Sequence, residues 1–142
     1  MSLMSCGIKY TNLNIISEAL KDSKILHKLD IELNDFILEA IKLLSEALKV
    51  NMTLRQLDLG GNEIGDEGAK ILSEVLKVSS TLIHLSLGKT NIGDEGAVAI
   101  SETLRKNNTL TILNLGMNCI VNEERVTLEK IYMKNNNLDF TL

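Results

Sequence analysis

The sequence contains no proline and no tryptophan, and only two tyrosines and two phenylalanines among its 142 residues. No proline interrupts a helix or an inner strand, and any core has to be built from aliphatic side chains. There are two cysteines, Cys6 and Cys119, near opposite ends of the chain. That excludes a disulfide scaffold and leads us to expect a reduced, intracellular protein. The two histidines, His27 and His84, have no Cys or acid cluster around them at ligand spacing, so no zinc site is expected. Excess positive charge is also missing. The net charge of −4 argues against nucleic acid as a partner. No apolar run reaches the length of a membrane span. Lys9 follows only a short mixed stretch, so the layout of a signal peptide is absent and a cytoplasmic location is expected. A start at Met4, with Met1-Ser2-Leu3 as vector residues, fits the sequence as well as a start at Met1. The glycines Gly65, Gly68, Gly93 and Gly96 are not followed by the Lys-Ser/Thr pair of a phosphate loop. No Ser-His-Asp or Cys-His arrangement suggests itself. The expectation is a protein without catalysis, cofactor or bound metal.

What the sequence does have is a repeat. Units starting at Thr53 and Thr81 lie 81 − 53 = 28 residues apart and agree at half their positions. The first reads TLRQLDLGGNEIGDEGAKILSEVLKVSS and the second TLIHLSLGKTNIGDEGAVAISETLRKNN. The frame divides the chain into a partial unit over 1–24, repeats over 25–52, 53–80, 81–108 and 109–136, and a terminal strand over 137–142. A fixed period of this size marks a solenoid, in which each unit buries its apolar face only against its neighbours. The whole chain then forms a single domain.

Within one unit the apolar period changes. Leu57 and Leu59 alternate with Gln56, Asp58 and Gly60, as in a short strand with one face buried. Ala69, Ile71, Leu72, Val75 and Leu76 then recur at helical spacing. Between them, Gly65-Asp66-Glu67-Gly68 relaxes the backbone and offers Asp66 as a helix cap. The same role fits Asp94-Glu95, and this capping reading outweighs metal or acid/base work for the paired carboxylates. Lys49, Lys77, Arg105 and Lys134 fall at helix C-termini, where a cation suits the dipole. Stacked units align their strands in parallel with the helices outside. Helices are wider than the strand spacing, so the stack curves. The predicted fold is an α/β solenoid, a curved right-handed β-α superhelix with the sheet on the concave face and the helices on the convex face. Strands are expected near Gln56–Leu59, His84–Leu87 and Ile112–Leu115, and helices near Glu67–Lys77 and Glu95–Lys106.

Asn34, Asn62 and Asn118 share one phase, suited to a buried ladder that hydrogen-bonds the backbone of successive turns. Thr90 and Cys6 stand in for it elsewhere and are small enough to be buried. Leu3, Cys6 and Ile8 match Leu59, Asn62 and Ile64, so the frame reaches the N-terminus, and Leu138, Phe140 and Leu142 alternate as a last strand. The triplets Asn51-Met52-Thr53 and Asn107-Asn108-Thr109 resemble glycosylation acceptors, but they recur at one phase and read as structural. Leu33, Ile37 and Leu38 are apolar where the next unit has Gly61, Gly65 and Asp66. We expect them to pack on the first helix rather than to form an exposed patch.

The outward strand positions are free of both packing and capping. They read Lys28, Asp30 and Glu32, then Gln56, Asp58 and Gly60, then His84, Ser86 and Gly88, then Ile112, Asn114 and Gly116. The face passes from charged through polar to weakly apolar, with acceptors in a row along Asp30, Asp58, Ser86 and Asn114. Lys28, Asp30, Gln56, Asp58, His84, Ser86, Ile112 and Asn114 are the candidate partner-binding residues.

The segments LDLGGNEIGDEGAKILSEVL and LSLGKTNIGDEGAVAISETL resemble leucine-rich repeats of the ribonuclease-inhibitor type, and the resemblance runs from about Leu3 to Leu142. Thr90 in place of Asn, Ile37-Leu38-Glu39-Ala40 in place of Gly-Asp-Glu-Gly, and Arg125 in place of a small residue depart from the pattern. Proteins with similar repeats include the sensor arms of nucleotide-binding leucine-rich-repeat receptors, Ran GTPase-activating proteins, tropomodulins and ribonuclease inhibitors. The resemblance implies a non-catalytic scaffold that binds a protein partner on its concave face, a piece of a receptor of the first kind. The alternative it implies is a regulator of a small GTPase, although the long arc and acidic tail of such regulators are missing here.

Overall fold

A computed structural model describes residues 1–7, 10–34, 36–134 and 139–142. Ten elements alternate along the chain: α1 Tyr10–Asp22, β1 Lys28–Asp30, α2 Leu38–Val50, β2 Gln56–Asp58, α3 Gly65–Val78, β3 His84–Ser86, α4 Asp94–Leu104, β4 Ile112–Asn114, α5 Asn122–Lys134 and β5 Asp139–Thr141. The five strands pair in sequence order, every pair parallel. This is the expected solenoid, with the sheet lining the concave face and the helices packed behind it. The strands are one residue shorter than expected, because Leu59, Leu87 and Leu115 already turn toward the core.

Register shows the repeat physically. Gln56 lies opposite His84 and His84 opposite Ile112, each 28 residues on. The N-terminus keeps the frame, since Ser2 bridges Asp30 and Leu3 N donates to Asp30 O at 2.7 Å. The last step does not. Ile112 pairs with Asp139 and Leu113 with Phe140, a step of 27. The missing residue falls after the start of α5, which still begins 28 residues beyond α4. Phe140 and Leu142 therefore take the phases of Leu113 and Leu115. Ile8 and Leu138 lie outside the described residues, as does the side chain of Lys134.

The core is aliphatic and layered. Leu29, Leu57, Leu85 and Leu113 form one buried row, and Ile31, Leu59, Leu87 and Leu115 form the next. Each is worth about 1.5–3 kcal/mol relative to exposure. Behind them, Ala40, Ala69 and Ala97 let the helices close onto the sheet. In α5 the corresponding residue is Arg125, which is exposed and reaches Glu129 of its own helix. Only Leu128 and Ile131 of the described α5 side chains are buried.

The asparagine ladder is present. Asn62 is buried, its Oδ1 accepts from Asn34 N at 3.0 Å and Phe36 N at 3.1 Å, and its Nδ2 donates to Ile31 O, Leu59 O and Gly60 O. Asn34 and Asn118 repeat the pattern. Thr90 is fully buried, with Oγ1 2.7 Å from Leu87 O and 3.2 Å from Asn118 Oδ1, and its single proton serves one of them at a time. Cys6, by contrast, is exposed, with its thiol on Met4 O. No earlier unit covers this edge, so nothing there has to be buried.

A second ladder closes the opposite rim. Asn51 Nδ2 donates to Leu20 O of the preceding unit while Oδ1 accepts from Thr53 N and Leu54 N. Asn107 does the same toward Leu76 O, Thr109 N and Leu110 N. The two glycosylation-like triplets are thus structural in the fold, and Asn51 is buried.

Capping is likewise shared between units rather than confined to one. Helix α3 begins after Ile64 without a side-chain cap. Asp66 instead turns its Oδ1 to Gly93 N at 2.7 Å and Gly96 N at 2.9 Å, the start of the following helix α4. Asp94 accepts from Val121 N, ahead of α5, in the same sense. Gly96 is required by this contact, since a Cβ there would stand 2.7 Å from Asp66 Oδ1 and 2.9 Å from Ala69 Cβ. The turn leaving each strand is left-handed at one phase in every unit: Ser5, Leu33, Gly61, Lys89 and Met117 all have φ between 51° and 64°. Leu33 lies over Gly61, where a Cβ would meet its Cδ2 at 2.3 Å. Leu33 and Ile37 are nonetheless exposed, against the expectation of packing on α1.

Candidate functional site

Strand alternation and parallel register turn the outward residues into two rows across the concave face. Lys28, Gln56, His84 and Ile112 stand side by side in the first, and Asp30, Asp58, Ser86 and Asn114 in the second. All eight predicted residues are therefore brought onto one surface, neighbours in a row lying about 4.8 Å apart along the sheet. The register step of 27 adds two residues that the sequence frame missed. Asp139 continues the first row and Thr141 the second. The in-phase alternation of Phe140 and Leu142 with Leu113 and Leu115 was the available signal.

The second row is partly self-satisfied. Asp58 Oδ1 accepts from Gly60 N at 3.0 Å and Asn114 Oδ1 from Gly116 N at 2.9 Å, each bending back two residues. Glycine allows this, because a Cβ at Gly60 would sit 3.2 Å from Asp58 Oδ1 and one at Gly116 3.1 Å from Asn114 Oδ1. Asp30 Oδ2 accepts from Ser2 Oγ at 2.7 Å. Ser86 is only 7% exposed, between the larger side chains of Asp58 and Asn114. Ile112, at 39%, is the most open apolar group of the two rows.

The convex face differs in kind. Its charges are matched in ion pairs one helical turn apart, Glu18–Lys21, Glu46–Lys49 and Glu67–Lys70 among them. Lys70 also reaches Glu95 of the next helix at 2.9 Å, and the two carboxylates hold its ammonium above the usual lysine range. The hydrogen bond from Lys49 holds the Glu46 carboxyl below its ordinary range. Such exposed pairs contribute little to stability. Among the described residues no group of three His, Cys, Asp or Glu side chains is placed to hold a metal ion, and no helix is long and apolar enough to cross a membrane.

These features define a β-α repeat solenoid with an open concave sheet. The Leucine Rich repeat family matches residues 50–73, 78–101 and 106–123. The fold is similar to leiomodin-1 Actin-Binding Site 2, with a TM-score of 0.80, 22% identity, and 94% of this chain covering 79% of that one. It is also similar to the Caenorhabditis elegans tropomodulin C-terminal domain, with a TM-score of 0.81, 15% identity, and 96% of this chain covering 83% of that one. No curated protein sequence matches. The chain is a leucine-rich-repeat protein of the ribonuclease-inhibitor type.

Proposed function

We propose that the chain is a non-catalytic scaffold that binds a protein on its concave sheet face. One observation carries this reading. The residues of the two outward rows change from unit to unit, whereas the leucines beside them in the same strands are constant and buried. Packing fixes the inward positions and capping fixes the helix starts, which leaves these rows as the surface free to encode a partner. A cytoplasmic location accompanies this role.

Replacing Asp58 and His84 with Ala tests it. The pair is expected to weaken capture of the partner without lowering the melting temperature, and replacing Lys70 and Glu74 on the helices is expected to leave capture unchanged. Loss of binding from the helix pair alone would refute the concave site.

A second reading makes actin the partner. The name of the leiomodin-1 neighbour, which this chain overlays along 94% of its own length, favours it. Cosedimentation with filamentous actin and a pull-down with monomeric actin test it, and no binding in both rejects it. Membership of a nucleotide-binding receptor, or regulation of a small GTPase, rests on repeat type. A nucleotide-binding domain upstream in the gene supports the first, and accelerated GTP hydrolysis by Ran supports the second.

A further inference from the structure

The concave face has an acidic end whose charges are unmatched. Asp30 and Asp58 are opposite one another on adjacent strands, and Glu32 follows Asp30 on the same face with its Cγ 3.3 Å from where a Cβ of Gly60 would stand. Among the described residues these three carboxylates enter no ion pair, whereas the acids of the helices repeatedly do. Lys28, two residues before Asp30 on that face, is the one nearby cation and leaves the cluster net negative. Ser86 adds an independent sign of an unfilled site. Its side chain is 93% buried by the count of its 7% exposure, points to the concave side between Asp58 and Asn114, and its hydroxyl has no hydrogen-bond partner among the described residues. A hydroxyl so enclosed ordinarily has one.

The remaining hydrogen-bonding capacity of the row has a direction. Asp58 Oδ1 is occupied by Gly60 N, which leaves Oδ2 as an acceptor. The Ser86 hydroxyl gives or accepts. Asn114 Oδ1 is occupied by Gly116 N, which leaves Nδ2 as a donor. The carboxylates do not converge on a point, so they do not suit a compact metal ion. They are spread over two strands about 4.8 Å apart, which suits a planar group with several N–H donors. Resting on the concave-face reading, we propose that this end of the trough receives an arginine side chain of the partner, its guanidinium on Asp58 and Asp30, and that a carbonyl of the same partner segment accepts from Asn114 across Ser86. The partner segment is thus basic and extended, and it crosses the strands.

The test uses a random peptide library displayed on phage and selected against the intact chain. A selected peptide is then titrated by fluorescence anisotropy, and its site is mapped by backbone amide shifts. Arginine is expected to be enriched, and amide shifts are expected at Asp58, Ser86 and Asn114. Asp58→Asn keeps the oxygen that Gly60 N needs and removes the charge, and it is expected to weaken binding about tenfold or more. Changing the peptide's arginine to glutamine is expected to do the same and does not depend on how the variant protein folds. Glu67→Gln on α3 is expected to change nothing. Peptides that map to the concave face but carry no arginine, or that bind Asp58→Asn equally well, overturn this inference and leave the concave-face reading standing. Peptides that map to the helices, or a selection that enriches none, overturn both.

Discussion

Replacing Asn62 with leucine removes the centre of the buried ladder while keeping side-chain volume. Five hydrogen bonds end on this side chain. Two of its carbonyl partners keep another donor, since Ile31 O also accepts from Asn34 Nδ2 and Gly60 O from Leu33 N. Asn34 N, Phe36 N and Leu59 O have no other partner among the described residues. A buried polar group left unpaired costs about 1–3 kcal/mol. The low end applies to each, because the ladder lies beneath a surface turn that water can reach on slight opening, so the sum is about 3 kcal/mol. With a urea m-value of about 2 kcal/mol/M, the midpoint should fall by about 1.5 M at unchanged slope. Equilibrium urea unfolding followed by far-ultraviolet circular dichroism measures it. A shift below about 0.3 M would show that the ladder is not what holds successive turns together. Thr90→Asn is the complementary change. It supplies the amide that Thr90 lacks beside Leu87 O, and it should raise the midpoint, by about 0.5 M if one hydrogen bond worth about 1 kcal/mol is gained.

Three further outcomes follow from the same contacts. Asp66→Ala should destabilise by about 1–2 kcal/mol, the scale of a lost helix cap, and should speed amide exchange at Gly93 and Gly96 of the next unit rather than at the start of α3. Gly96→Ala should destabilise by about 1–3 kcal/mol in thermal melts even though alanine is the better helix former, because the added methyl meets Asp66 Oδ1 and Ala69 Cβ below 3.0 Å. Lys70→Ala should cost under about 1 kcal/mol by the same melts, since both of its ion pairs are solvent-exposed.

The sequence alone determined the solenoid, its unit length, the parallel strands and the identity of the outward rows. All of these follow from local periodicity repeated in phase: Leu57 and Leu59 have to face inward together, and a 28-residue step carries that choice to Leu85 and Leu87. Tertiary structure decided whatever depends on the neighbouring unit. Asp66 has the composition of a cap for its own helix, but stacking places its carboxylate at the start of the next one. The left-handed turn recurs at Leu33, Lys89 and Met117, residues that carry no glycine signal, because the chain must leave each strand by the same sharp path to stay in register. Cys6 holds the ladder phase yet is exposed, since burial needs a unit on both sides. The last strand slips to a step of 27 because an edge strand is placed by its pairing with β4 and by burial of Phe140 and Leu142 against the core, not by counting residues from the unit before.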